Sequence, residues 1–127
     1  MTQKKNFYSK NVNFHIISIN IVPQILILHL KRFDNFQRKI KKFVEFEMKY
    51  DLTQFCDRSN TPQIYHLRAI LVHQGYSIHS GHYYSFVQMP DDNWYCFNDC
   101  SVKRVKSEDV LKLKPYILFY EKRDLEK

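Results

Sequence analysis

From residue 44 to residue 52 the chain alternates without a break. Val44, Phe46, Met48, Tyr50 and Leu52 are apolar, while Glu45, Glu47, Lys49 and Asp51 are polar. A period of two belongs to a strand with one buried and one wet face. Ile25-Leu26-Ile27-Leu28 lacks the alternation, which predicts a central strand over residues 25–30 buried on both faces. Residues 14–22 form another β-branched run, set off by Pro23, and residues 64–73 and 116–120 read the same way.

Turn chemistry links these runs. Met89-Pro90-Asp91-Asp92-Asn93 is a turn, so residues 83–89 and 94–97 should form a hairpin. Asp34-Asn35 opens an exposed basic loop over residues 34–42, and residues 57–63 are a loop by composition. Ser107, followed by Glu108 and Asp109, predicts a short helix with a capping hydroxyl, closed by Pro115. Six or seven strands against one short helix give an α+β chain that is mainly antiparallel β. The reading has three parts: a flexible lead-in at residues 1–13, a body at 14–122 and a tail at 123–127.

Composition narrows the function. The net charge is +7, and residues 1–49 carry ten Lys or Arg against three acids, so the excess is N-terminal. Such a stretch can attract nucleic acid, but a solvated face is the simpler reading, and no nucleic-acid partner is expected. The aromatics alternate along strands, as core residues do, rather than forming a base-stacking platform. Three cysteines with no framework spacing suit a reducing compartment, either cytoplasmic or nuclear. Residues 14–30 are the most apolar window, but His15, Asn20, Pro23 and Gln24 interrupt it, so no membrane span is expected.

Chemistry concentrates at residues 72–84. Three histidines, His73, His79 and His82, surround the only two glycines, Gly75 and Gly81. Glycines used so sparingly predict unusual backbone geometry at that loop. His82 begins a strand directly after Gly81, which suits a base that must be rigid yet open. The hairpin should return Asn98 and Asp99 beside it, to orient the second ring nitrogen. A zinc set of His79, His82, Cys96 and Cys100 does not fit, because Cys96 is interior to an apolar strand. No metal or other cofactor is expected.

Gly81-His82-Tyr83, followed by Trp94-Tyr95-x-Phe97-Asn98-Asp99-x-x-Val102, resembles the histidine box of the ubiquitin-specific proteases. Leu28-x-Leu30-Lys31-Arg32-Phe33 and Tyr116-Ile117-Leu118-Phe119-Tyr120 extend the resemblance in the family's order. It implies the C-terminal sheet, or palm, of a papain-like cysteine protease that cleaves after the C-terminal glycine of ubiquitin. It also implies ubiquitin or ubiquitinated proteins as partners. By the same resemblance His82 is the general base, Asn98 the third triad member, and Asp99 an acid that shares its duty. Phe33 and Tyr83 would line the channel for ubiquitin's tail, gated by residues 34–42 and by the Gly75 to Gly81 loop.

The family's nucleophile lies in a Gly-x-Thr-Cys-type box at a helix start, where the dipole lowers the thiol pKa. The sequence contains no such box, nor the family's paired Cys-x-x-Cys zinc ligands. Cys56 reads as a core or loop thiol, Cys96 as mid-strand, and Cys100 as misplaced for attack. The chain should therefore need an N-terminal lobe that carries the thiol, unless it is a non-catalytic ubiquitin-binding relative. Ubiquitin's tail is basic, so either the missing part supplies the acids to receive it or ubiquitin binding is weakened.

Overall fold

Seven strands and two short helical turns form from these runs in a computed structural model, which describes residues 18–56 and 61–123. The strands are β1 (Ile25–His29), β2 (Lys49–Asp51), β3 (Ile64–Ser77), β4 (Ser80–Gln88), β5 (Trp94–Asn98), β6 (Ser101–Val105) and β7 (Ile117–Lys122). A 3-10 turn spans Thr53–Phe55, and the single-turn helix α1 spans Ser107–Val110. All pair antiparallel in one sheet of order β1-β7-β3-β4-β5-β6, with β2 beside β3. The mainly antiparallel fold class is therefore as expected. The lead-in, residues 14–17 of the first expected strand, residues 57–60 and residues 124–127 lie outside the described residues.

Several local expectations need correction. The run at residues 25–30 is not central, because among the described residues β1 pairs only with β7 and forms an edge of the sheet. Leu26 and Leu28 pack on the core, whereas Ile25 and Ile27 are 49% and 56% exposed. An unbroken apolar run looks the same whether its second face is covered by the same chain or left for something else. Residues 18–22 form no strand, and Ile19 makes only an isolated bridge to Cys56. Ser107 does not cap α1, since Lys106 holds the N-cap position without a side-chain bond. β6 went unpredicted because four of its five residues are exposed and its sequence shows little alternation.

The alternating run keeps its faces from Phe46 onward but little of its ladder, and Val44, expected on the buried face, is exposed. Phe46, Met48 and Tyr50 are half-buried and Leu52 is buried, with the intervening polar residues exposed. Only Lys49–Asp51 joins the sheet. The preceding residues are held by two bonds instead. Leu67 N–H donates to the Met48 carbonyl at 2.8 Å, and the buried Tyr120 hydroxyl donates to the Glu47 carbonyl at 2.8 Å. The core is a cluster including Tyr65, Leu67, Ile70, Trp94, Val110, Leu118 and Tyr120. No helix among the described residues is long and apolar enough to cross a membrane.

Neither glycine has a positive φ, so the unusual backbone geometry expected at this loop is not a left-handed one. Close approach explains both. A Cβ on Gly81 would stand 2.1 Å from Nε2 of His73 and 2.8 Å from the Gln74 carbonyl oxygen. One on Gly75 would stand 2.6 Å from the Ser80 carbonyl oxygen and 3.0 Å from Cε1 of His73. The two glycines make room for a buried imidazole. Gly81→Ala should thus cost about 1–3 kcal/mol in chemical denaturation, the usual penalty of overpacking. Wild-type stability in that variant would show that the hairpin can shift freely.

Candidate functional site

The hairpin places the candidate base. β3 runs to Ser77 and β4 starts at Ser80, so the expected loop is mostly ladder, with a bulge between Gln74 and Ser77. β4 pairs with β5 from Ser85↔Phe97 to Gln88↔Trp94, and this register brings the end of β5 alongside the start of β4. His82 Nε2 lies 2.5 Å from Asn98 Oδ1. An amide oxygen only accepts, so Nε2 carries the hydrogen and Nδ1 is left as the basic nitrogen. Asp99, at φ 49°, turns the chain, and its Oδ2 is 3.8 Å from the same ring nitrogen. The His82 ring also stacks on Tyr84, with centroids 6.1 Å apart and planes at 23°.

Phe33 and Tyr83 meet around a residue to which the sequence reading gave no role. His73, 2% exposed, lies 4.8 Å from the Tyr83 ring and 5.6 Å from that of Phe33, with Tyr116 at 6.0 Å. The signal was present in His73-x-Gly75 and Gly81, since both glycines touch this ring. Burial, then the charge on Lys39, hold the His73 pKa below the ordinary imidazole value, with the Ser80 carbonyl opposing. His66 is lowered too, by burial and then by Arg123, Lys49 and Arg68, against Glu121.

Both shifts have the same sign. An imidazole whose folded pKa is depressed binds protons more readily when unfolded, so stability falls as pH falls below about 6.5. The melting temperature should therefore drop between about pH 7.5 and 5.5, above the range where carboxylates titrate. His73→Phe should flatten part of that slope. A flat wild-type profile would contradict the burial argument.

The two candidate gating segments are joined to each other. Asp34 Oδ1 accepts from the amides of Phe36 and Arg38, both at 2.9 Å, which shapes the turn. Arg38 bridges to Ser77, Lys39 N–H donates to the Tyr76 carbonyl at 3.0 Å, and Gln37 Oε1 meets His79 Nε2 at 2.7 Å. Among the described residues no group of three or more potential ligands could hold a metal ion.

The cysteines do not join His82. Cys56 donates to the Leu52 carbonyl at 3.2 Å, and burial pushes the Cys96 thiol above its ordinary pKa. A thiol held protonated is a poor nucleophile. Cys100 is exposed in the turn between β5 and β6.

A family model described as "Ubiquitin carboxyl-terminal hydrolase" matches residues 2–120. Human ubiquitin carboxyl-terminal hydrolase 17-like protein 13 is 37% identical over 106 residues, covering 82% of this chain and 20% of that protein. The human 17-like protein 6 is also 37% identical, with 27% of its length covered. The SAGA DUB module of Ubp8, Sgf11, Sus1 and Sgf73 bound to monoubiquitin superposes with a TM-score of 0.78 at 34% identity. That match covers 86% of this chain and 25% of the other. The same module bound to ubiquitin aldehyde gives 0.77 at 31% identity, with 26% of that chain covered. The chain thus spans about a fifth to a quarter of the proteins it matches.

Proposed function

The chain belongs to the ubiquitin carboxyl-terminal hydrolase family, and from that premise we propose that it supplies the base and the channel wall of a thiol-dependent deubiquitinase. The nucleophilic cysteine would come from a segment outside these 127 residues. The observation that carries the reading is the 2.5 Å contact between His82 Nε2 and Asn98 Oδ1. It fixes the tautomer, so that Nδ1 can take the proton of an incoming thiol. The thiolate then attacks the carbonyl carbon of ubiquitin's C-terminal glycine. The protonated His82 returns its proton to the leaving amine, and water hydrolyses the thioester.

Asn98 orients the ring but cannot offset its positive charge. Asp99 would supply that charge from 3.8 Å. Phe33 and Tyr83 would form the channel wall, with Gly75 and Gly81 keeping the hairpin close to His73. Ubiquitin or a ubiquitinated protein is the proposed partner, as in the Ubp8 module bound to monoubiquitin. An N-terminal lobe is the second partner, and the uncovered Ile25 and Ile27 suit a surface that is covered in the complete enzyme. A cytoplasmic or nuclear setting belongs to the same proposal.

A fluorogenic ubiquitin substrate tests it. The chain alone should give no turnover, while the chain combined with the nucleophile-bearing segment of a relative should give turnover. Turnover by the chain alone that vanishes in Cys56→Ala would overturn this division of labour. Ubiquitin binding without turnover in the combined sample would favour the non-catalytic relative instead.

A further inference from the structure

Beside the aromatic cluster lies a cavity of about 890 Å³, whose wall includes Arg32, Lys39, Lys41, Lys112 and Lys114 and, among the described residues, not one Asp or Glu. Arg32 is 4% exposed. Its guanidinium is fixed by three carbonyls: Nε donates to Pro115 at 2.5 Å, and Nη1 to Ile40 at 3.2 Å and Lys42 at 2.8 Å. Those oxygens are neutral, so the charge is solvated but not balanced. Its Nη2 is buried with no partner among the described residues. His73 lines the same cavity, with the Ser80 carbonyl facing its ring. Unpaired buried donors are costly and rare in folded chains.

The cations act on one another. Lys39 is held below its ordinary pKa by burial and then by the charges of Arg32, Lys41 and Lys114. Its ammonium rests on the His73 carbonyl, and Lys41 stands 4.2 Å above the Tyr76 ring. Among the described residues only Lys112 of these cations has a carboxylate partner, that of Asp109 at 2.8 Å. A fixed guanidinium edge, a neutral imidazole and several unbalanced ammonium groups around one hollow match an anion of more than one charge.

We propose that this cavity binds a multivalent oxyanion of the phosphate type, with Arg32 Nη2 and His73 as the buried contacts and Lys39, Lys41 and Lys114 as the surrounding charges. His82 also lines this cavity, so an anion bound there would sit beside the candidate base, and the test below reads binding and not turnover. A phosphate group could arrive free or on a phosphorylated side chain, and the two are separable by probe.

The test titrates inorganic pyrophosphate, and separately phosphoserine, into the full 127-residue chain, followed by amide NMR at constant ionic strength. Saturable shifts centred on His73, Gly75 and Tyr76 are expected. Tighter binding of pyrophosphate would assign a free ligand, and tighter binding of phosphoserine a modified side chain. Arg32→Gln risks unfolding, because Arg32 ties three backbone carbonyls. The exposed pair Lys41→Gln with Lys114→Gln is the safer variant and should weaken binding by about tenfold. Shifts no larger than those from added sodium chloride, or equal affinity in the double variant, would overturn the site.

Discussion

In an enzyme completed with a nucleophile-bearing segment, His82→Ala is expected to lower kcat by about 10²–10⁴, the usual contribution of a positioned base. Nucleophile and base act as a unit, so the loss should approach that of removing the cysteine itself. Asn98→Ala should lose less, because it frees the ring to turn without removing it. Asn98→Asp should retain activity, since a carboxylate oxygen can accept the same hydrogen. The readout is single-turnover cleavage of a fluorogenic ubiquitin substrate, with folding of each variant checked by circular dichroism. Near-native turnover in His82→Ala would remove this residue from the reaction.

The second large effect is on the fold. Tyr120 is 1% exposed in β7, between β1 and β3, and its hydroxyl anchors the Glu47 carbonyl at 2.8 Å. Tyr120→Ala should cost about 3–5 kcal/mol, as large-to-small aromatic substitutions in cores do. That approaches the whole stability of a small domain, about 5–15 kcal/mol. Tyr120→Phe removes only the hydrogen bond and should cost about 0.5–1.5 kcal/mol. Urea unfolding of the two variants separates the packing of the ring from the anchoring of residues 43–48. A Tyr120→Ala loss under about 1 kcal/mol would mean that the core can collapse around the gap.

What could be read from the sequence follows what each residue type encodes locally. The hairpin from β4 to β5 was legible, because Pro90, Asp91 and Asn93 mark the turn and apolar residues flank it. The meeting of His82 with Asn98 followed from that register alone. β6 left no trace, since an exposed strand with two valines and three polar residues looks like a loop. The edge position of β1 was also hidden, because Ile25-Leu26-Ile27-Leu28 reports apolarity and not what covers it. His73 was seen as one of three histidines, but its burial depends on Phe33 and Tyr116, each about 40 residues away in the chain. Arg32 likewise looked like one more surface charge. Its burial needs the carbonyls of Ile40, Lys42 and Pro115, which only the fold assembles.

The proposed reaction requires His82 to present a basic Nδ1 while Asn98 holds the hydrogen on Nε2. Ring ¹⁵N NMR of the full chain measures that tautomer directly. The expected spectrum shows a protonated Nε2 and an unprotonated Nδ1, and Asn98→Ala should mix the two tautomers. A His82 ring with its hydrogen on Nδ1, unchanged by Asn98→Ala, would contradict the account.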